Sequence, residues 1–243
     1  MPRVYIHEFI DIIGNQRAKY LHHMTANWGP VGRAERNQLC FGVWGVVGST
    51  GAWPQVVNLW EYESWAALAA NFEFELSSTS MQDPSLEEWW NVAASLRRGG
   101  LDRIVVAADW SPSIDELCSE RAGVSAAGYC HELVGCRAGT ATELLESVRS
   151  DGISAYAEAG LSLVGAFARA LADDDELVLI WSFDSWSTWG AFEESAPAVA
   201  AWRTEIADRV TSWQRTLLTD AEFAPLRTGR QPQEADRRPL DQF

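Results

Sequence analysis

The chain has little positive charge and only one lysine, Lys19, so nearly all of its basic residues are arginines. Its 243 residues include 19 basic and 34 acidic side chains, which gives a net charge of -15. A chain of this sign repels phosphate backbones and anionic lipid surfaces. We therefore expect neither nucleic acid nor a membrane among its partners.

Long apolar runs and nucleotide-binding motifs are also missing from the sequence. No run approaches the roughly 20 apolar residues that span a bilayer. The start MPRVYIHEF does not show the basic-then-apolar layout of a secretory signal, so we expect a cytoplasmic protein. The sequence contains no G-x-G-x-x-G, P-loop, G-x-S-x-G or H-E-x-x-H motif. These absences disfavour a nucleotide cofactor and a catalytic metal.

Cysteine is scarce and shows no metal-binding pattern. The four residues, Cys40, Cys118, Cys130 and Cys136, form no C-x-x-C pair and have no companion spacing typical of a zinc site. We expect reduced, mostly buried thiols.

Tryptophan, in contrast, is abundant, with thirteen residues that need an extensive core or a cavity to line. Two tryptophan-bearing stretches are alike, VVNLWEYESWAALAANFE at 56–73 and LVLIWSFDSWSTWGAFEE at 177–194. Upstream, VYIHEFI and GYCHELV match in the same order, so that Glu8 corresponds to Glu132 and Trp60 to Trp181. Two matches in one order predict a repeated unit of roughly 120 residues.

Each unit shows the periodicities strand, helix, strand, strand, helix, strand. In the first unit we predict a strand at 4–12, a helix that breaks near Gly29 and Pro30, and a hairpin ending in VVNLWEY. A second helix starts at an N-cap, Glu63 or Ser64, and a further helix ends at Gly99 and Gly100 before the last strand.

The second unit repeats this order. We predict strands at 128–136, 161–170 and 177–183, and helices at 140–159, from 185 and from 197. The final strand is less clear, and RTLLTDAEFAPL is the best candidate.

The order β-α-β-β-α-β is the ferredoxin-like arrangement, an antiparallel sheet with helices on one face. Two such units cover each other's bare faces. We therefore predict an α+β fold in which tandem ferredoxin-like repeats pack their sheets face to face as an intramolecular barrel, with a cavity between the sheets. The expected boundaries are 1–120 and 126–227, followed by a polar C-terminal tail at 228–243 that frays or lies across the surface.

A family likeness supports this architecture. FGVWGVVGSTGAWPQVVNLWEYESWAAL and DRIVVAADWSP resemble the NIPSNAP branch of the dimeric α+β barrel superfamily. The likeness covers nearly the whole chain as two copies, and in the second copy Phe167 replaces Trp44. The resemblance implies a barrel fold. Members of the superfamily include heme-degrading and quinone-forming monooxygenases, isomerases, cyclases, chlorite dismutases and aldoxime dehydratases. Most of these use a cavity beneath the sheet.

Strand alternation sorts side chains onto two faces. Val57, Leu59 and Glu61 share one face, which suits packing against helices. The opposite face carries larger amphipathic groups that suit a cavity wall. Its members are Asn58, Trp60 and Tyr62 in the first unit and Leu179, Trp181 and Phe183 in the second.

Glu8 is the first catalytic candidate. The resemblance places Glu8 and Glu132 where heme-degrading relatives have a pocket Asn, a departure that disfavours heme degradation. A Glu8 side chain that points inward would have its pKa raised by desolvation and could shuttle a proton near neutral pH. The alternative is a solvated or salt-bridged strand carboxylate.

The histidines offer further candidates. His7 and His131 suit bases or ligands, or else buried strand residues bonded to the backbone. On the first helix, His23 could reach a cavity mouth and His22 an axial heme position, although neither spacing is a metal signature.

The sequence thus favours a small-molecule enzyme that binds a largely apolar metabolite and transfers protons without a cofactor, of isomerase, lyase or cyclase type. The catalytic candidates are Glu8, Asn58 and His23. The binding candidates are Trp60, Tyr62, Trp44, Glu132, Trp181 and Phe183. The alternatives are a heme-dependent or cofactor-free oxygenase or dehydratase, and a non-catalytic NIPSNAP-like binding protein. A homodimer formed through edges or helices is compatible with either.

Overall fold

Eight antiparallel strands close into a barrel in the computed structural model, which describes residues 2–79, 83–121 and 126–243. The strands are β1 Val4–Ile12, β2 Leu39–Val46, β3 Gln55–Tyr62, β4 Arg97–Ala107, β5 Gly128–Cys136, β6 Leu161–Arg169, β7 Glu176–Phe183 and β8 Val210–Asp220. The helices are α1 Arg17–His22, α2 Gly29–Glu35, α3 Trp65–Glu75, α4 Glu87–Leu96, α5 Ile114–Arg121, α6 Ala141–Ser147, α7 Ile153–Glu158, α8 Trp186–Glu194, α9 Pro197–Glu205 and α10 Pro225–Thr228.

The barrel consists of two halves with the same internal order. Around it the strands run β1-β3-β2-β8-β5-β7-β6-β4. The first four strands of the chain form one half and the last four the other, and short ladders between β2 and β8 and between β4 and β6 join them. The predicted α+β fold, two ferredoxin-like units closing an intramolecular barrel, is confirmed. The junction expected between 120 and 126 lies partly outside the described residues, so the domain boundaries stay a prediction.

The barrel interior is filled by side chains from both halves. Val57 and Leu59 lie there with Tyr5, Tyr129 and Phe167, all fully buried. The predicted packing of the aliphatic face against the helices and the predicted cavity between the sheets were therefore wrong, because Asn58, Trp60 and Tyr62 point outward, under the helices. Trp60 and Tyr62 do line a cavity, but on that outer side. Closing eight strands leaves an interior just wide enough for side chains to fill, and the compact aliphatic face is the one that fits inside. Inside the barrel the Tyr5 hydroxyl donates to Glu61 at 2.8 Å.

Two histidines meet inside the barrel, one from each half. The imidazoles of His7 and His131 are both fully buried and nearly coplanar, with an interplanar angle of 2°. Their Nε2 atoms are 2.9 Å apart, a hydrogen-bond distance.

Each half bends its second strand at a glycine. The ladder register shifts at Gly42 in β2 and at Gly165 in β6. A Cβ at Gly42 would lie 2.0 Å from the Trp44 ring, and one at Gly165 would lie 2.5 Å from the Phe167 ring. The G-x-W and G-x-F patterns thus let an aromatic ring fold over the neighbouring backbone.

Several element ends differ from the prediction. The first helix does not break at Gly29 and Pro30, because a π-helical turn (His23–Trp28) leads directly into α2, where Pro30 occupies the first turn and needs no N–H. The helix α4 ends at Leu96, before Gly99 and Gly100, which belong to β4. A Cβ on Gly100 would lie 2.1 Å from the Phe9 carbonyl oxygen, so this glycine permits close pairing with β1.

Other predicted elements match more closely. The Ser64 side chain caps α3, accepting the Ala67 N–H at 3.2 Å, and Ser185 caps α8 in the same way. The last strand starts earlier than expected, at Val210, and ends at Asp220. A second π-helical turn, Val148–Gly152, joins α6 to α7.

The polar C-terminal tail lies across the first half. The Gln231 side chain bonds both the N–H and the C=O of Cys40, at 3.0 and 2.9 Å. The Arg238 N–H donates to His22 Nε2 at 3.0 Å. The tail was expected either to fray or to lie across the surface, and the structure shows it lying across the surface.

The cysteines agree with the expectation of reduced, mostly buried thiols. The four cysteines are free thiols, with Cys118 half-buried and the others buried. None of the helices within the described ranges has the length and apolar character that crossing a bilayer requires.

Candidate active site

A cavity of about 490 Å³ lies between the outer face of the first half's sheet and the helices that cover it. This volume is typical of small-molecule sites. Aromatic side chains form much of the wall, with polar groups from β1 and β4 beside them. The aromatic lining residues are Trp28, Trp60, Tyr62, Phe72, Trp89 and Trp90, and the charged ones are Glu8, Glu75, Arg97, Asp102, Arg103 and Arg169.

Glu8 is held on the wall of this cavity by two donors. It stands opposite Asn58 in the β1–β3 ladder, and alternation places both on the outer face with Trp60. Asn58 Nδ2 donates to Glu8 Oε2 at 2.8 Å, and Trp60 Nε1 donates to the same oxygen at 2.6 Å. Oε1 makes no hydrogen bond to any described residue, so this oxygen is available to a ligand.

The surroundings of Glu8 raise the pKa of its carboxyl. Burial is the largest cause, and the negative charge of Asp102 adds to it. The hydrogen bonds from Asn58 and Trp60 favour the charged form and only partly oppose this rise. Glu8 is therefore suited to exchange protons closer to neutral pH than an ordinary glutamate does.

Asp102 and Arg97 are two further charged residues of the cavity. Asp102 lies opposite Glu8 in the β1–β4 ladder and is exposed at the open side of the site. Arg97 is half-buried, lies over the Trp90 ring at 5.6 Å, and forms no ion pair with a described residue. Its charge lowers the pKa of both carboxyl groups, against the effect of burial. Glu8, Asp102 and the Arg97 guanidinium thus lie together in an aromatic cavity.

The second half uses the same framework differently. Glu132, equivalent to Glu8, lies opposite Arg215 and is fully buried. It accepts hydrogen bonds from Arg215 at 2.8 Å and Arg203 at 3.0 Å, and from Tyr156 and Trp181. Arg203 and Arg215 stand at the positions equivalent to Trp90 and Asp102. In this half, two guanidinium groups neutralise the glutamate and occupy the space beside it.

Trp89 links three aromatic groups beside the cavity. Its ring stacks on His23 at 4.8 Å and lies 4.6 Å from Trp28 and 4.8 Å from Trp90. Such clustered, half-buried indoles present flat apolar surface with little freedom to move. The wall therefore favours a flat ligand.

His23 supports this wall and does not reach the cavity. Its Nε2 lies 3.3 Å from the Trp89 carbonyl oxygen and its Nδ1 lies 3.1 Å from Asn27 Nδ2. Burial lowers its pKa to about 4, so the ring is neutral at physiological pH.

The histidines do not fit a heme iron. Both ring nitrogens of His23 are engaged, His22 faces the C-terminal tail, and His7 lies inside the barrel. Within the described ranges, no group of three or more His, Cys, Asp or Glu side chains is placed to hold a metal ion.

The other predicted site residues fall into different places. Tyr62 lines the cavity, where its hydroxyl accepts from Gln38 Nε2 at 2.7 Å. Asn58 lies behind Glu8, fully buried, and also donates to the Tyr20 hydroxyl at 3.1 Å. Trp44 lies inside the barrel against Tyr129. Trp181 and Phe183 belong to the outer core of the second half.

Several lining residues escaped the sequence reasoning. Trp89 and Trp90 look like helix core by spacing, and Trp28 lies near a supposed helix break. Asp102 had a usable signal, since aligning the two units sets it against Arg215. Asp102 faces Glu8, whereas Arg215 faces Glu132. This difference indicates that the first half is the one in which the arginine partner of the glutamate is missing.

Comparisons with known proteins identify the fold. A scan against protein-family models and a search of curated proteins found no match. Among solved structures, a "putative monooxygenase" from Lactobacillus acidophilus NCFM is 10% identical, with a TM-score of 0.60 over 93% of this chain and 98% of that one. An anthrone oxidase-like protein is 13% identical, with a TM-score of 0.55 over 91% and 94%.

A NIPSNAP family protein from Agrobacterium tumefaciens is also similar, at 22% identity over 41% of this chain and 92% of that one. Its TM-score of 0.35 is too low to carry an argument. At these identities the likenesses show the fold alone.

Proposed function

We propose that the cavity binds a flat, largely apolar carbonyl compound and that Glu8 removes a proton from the carbon next to the carbonyl group. One observation carries this proposal: Glu8 faces Asp102 in an aromatic cavity, whereas the equivalent Glu132 is neutralised by Arg215. A glutamate with a raised pKa and without an ion pair to any described residue has the properties of a general base.

The chemistry follows from the bonds around the carboxylate. Asn58 and Trp60 fix Oε2, so Oε1 accepts the proton as the C–H bond breaks and its electron pair moves into the carbonyl group. The resulting enolate carries negative charge on oxygen. Arg97, a cation without an ion pair to any described residue, is the group that stabilises this charge.

Different products follow from one intermediate. Return of the proton from Glu8 to another carbon gives an isomer, whereas departure of a group from the adjacent carbon gives an elimination product. In either outcome Asn58 and Trp60 act as positioning residues, because they touch Glu8. Asn58, a catalytic candidate by sequence, therefore acts through Glu8 in this proposal.

The test is hydrogen–deuterium exchange in D2O with 2-tetralone, a flat ketone with an acidic C–H. We expect the wild-type protein to accelerate exchange at the carbon next to the carbonyl, and the Glu8→Gln variant to lose the acceleration at least about 100-fold. Glu143→Gln, at an exposed position in the second half, is the matched control and should exchange like wild type.

Two results would contradict the proposal. One is equal exchange by the wild-type and Glu8→Gln proteins. The other is equal ligand binding by both without any exchange, which would favour a non-catalytic binding module.

A cofactor-free oxidase is the second candidate. The solved neighbours include an anthrone oxidase-like protein, and the carbanion of anthrone would form by the same proton abstraction. Anthrone and O2 give anthraquinone and water, with O2 as the oxidant. Oxygen uptake in step with quinone formation, lost in Glu8→Gln, would favour this reaction; exchange without oxygen uptake would favour the isomerase or lyase type.

We also infer that the two halves are tandem copies of one unit. Paired glycine-aromatic bends, paired serine caps and the Glu8–Trp60 and Glu132–Trp181 bonds support this. The first copy then holds the site, and the second has become structural.

A further inference from the structure

The second half contributes to the mouth of the first half's cavity. The hairpin between β6 and β7 places Arg169, Ala170 and Leu171 on the cavity wall, next to Arg103 of β4. Leu171 is 84% exposed although it is apolar, and its backbone has φ +55°, a conformation that non-glycine residues rarely adopt. The mouth therefore combines two arginines with an apolar side chain.

Arg103 is buried opposite His7 in the β1–β4 ladder, and its guanidinium lies 5.7 Å from the centre of the Phe9 ring. Its side chain is 9% exposed, and its Nε and Nη1 atoms have no hydrogen-bond partner in the described parts of the chain. Glu176 lies 3.5 Å from Nη1, longer than the 2.7–2.9 Å that is typical of a charge-assisted hydrogen bond. Unpaired donors on a buried guanidinium are costly.

Arg169 adds a second positive charge nearby. It is exposed, and it forms no ion pair with a described residue. After burial, its charge is among the causes that lower the pKa of Arg103. Asp174 of the same hairpin is engaged elsewhere, with Thr142 at the start of α6. In a chain of net charge -15, a weakly paired arginine couple at a cavity is unusual.

We propose that Arg103 and Arg169 form a subsite for an anionic substituent, such as a carboxylate, of the molecule that the cavity binds. The ligand class is then a flat apolar molecule with one negative group, which lies at the mouth while the reacting carbon faces Glu8. The second half has no equivalent subsite at this position, because Thr216 replaces Arg103 opposite His131. This inference rests on the proposed function in so far as both concern one ligand.

Paired probes that differ only in charge test the subsite. Binding of 2-naphthoate and of neutral 2-naphthamide is followed by quenching of tryptophan fluorescence from the cavity wall. We expect the wild-type protein to bind naphthoate about 10-fold or more tightly than naphthamide, since bonds to charged groups are among the stronger hydrogen bonds.

Variants assign that preference to the two arginines. Arg169→Gln, at an exposed position, should weaken naphthoate several-fold and leave naphthamide unchanged, and Arg103→Gln with Arg169→Gln should bring the two affinities together. Arg149→Gln, an exposed position in the second half, is the matched control and should keep the preference. If the double variant unfolds, the single exposed variant decides the matter.

Equal affinities of the two probes, no measurable binding of either, or an unchanged preference in Arg169→Gln would overturn the subsite. The Glu8→Gln variant separates the two proposals. It should lose proton exchange and still favour naphthoate, so a failed exchange test with a preserved preference would contradict only the proposed function.

Discussion

The residue opposite each glutamate carries a different charge in the two halves. Asp102 and Arg215 stand at equivalent places, each across a strand ladder from a carboxylate with a tryptophan donor. The arginine forms an ion pair with Glu132, whereas the aspartate disfavours the charged form of Glu8. The same side chain is thereby a structural ion in one half and a candidate base in the other.

Removing the charge of Asp102 should shift the pH dependence of proton exchange. The negative charge raises the pKa of Glu8, so Asp102→Asn lowers that pKa and the rate should reach its plateau at lower pH. Because Asp102 is exposed and screened by solvent, we expect a shift of about half a pH unit. The measurement is the rate of 2-tetralone exchange between about pH 4 and pH 8, taken in steps of about 0.5 pH unit.

Trp60→Phe provides the opposite variant in the same measurement. Loss of the indole N–H removes a bond that favours the charged carboxylate, so the pKa of Glu8 rises and the plateau moves to higher pH. Asp109→Asn, at an exposed position, is the control. Shifts of the same sign in both variants would contradict the assignment of the acidic limb to Glu8.

At the scale of elements, the helices that cover the two halves of the barrel pack differently. The helices over the second half pack Tyr156 on Trp181 at 4.0 Å and cover a neutralised glutamate. Those over the first half leave a cavity. One layer is packed around an ion pair, and the other leaves the cavity in which we propose that a ligand binds.

The same substitution should therefore have unequal effects on stability in the two halves. Glu132→Gln breaks a buried ion pair and should lower the free energy of unfolding by about 3 kcal/mol. Glu8→Gln, at a half-buried position without an ion pair to any described residue, should change it by less than about 1 kcal/mol. Urea unfolding of both variants at pH 7 measures the difference, and similar losses would show that the two sites are equally structural.

The strands were the most predictable elements, because alternation and the repeated Trp60 and Trp181 stretches mark them independently. Their faces were not predictable. Val57 and Trp60 are both apolar enough to be buried, and only closure of the barrel decides which face becomes the interior. The predicted end of the helix before β4 was wrong for a related reason. Gly100 is needed because β1 packs closely against it, and local sequence patterns do not contain this long-range contact.

The candidate site was only partly predictable for the same physical reason. Glu8, Trp60 and Tyr62 line the cavity, and they come from strands that the alternation of side chains predicts. Arg169 and Leu171 come from the other half of the chain, and Trp28 comes from a π-helical turn. No local pattern places such residues at one site.

For the whole molecule, the shared interior ties the two halves together. The core inside the barrel contains side chains from both halves, and each strand of the closed barrel has two neighbours. A second copy of the chain is not needed to close the sheet, and the expected homodimer stays a prediction that would use the helices.

Unfolding should accordingly be one cooperative transition. Urea curves from far-ultraviolet circular dichroism and from tryptophan fluorescence should have the same midpoint, because neither half keeps its inner core when the other unfolds. Glu132→Gln, although confined to the second half, should move both curves equally. Two separated transitions, or a shift in one probe only, would show that the halves unfold independently.

The histidine pair inside the barrel has a consequence for this near-symmetry. A single hydrogen joins the two Nε2 atoms, so one imidazole is the donor and the other the acceptor. Burial lowers the pKa of both rings and keeps them neutral, which obliges the acceptor ring to carry its own hydrogen on Nδ1. His7 and His131 are therefore different tautomers of the same residue, and one proton makes the two halves chemically distinct at a place where their side chains are identical.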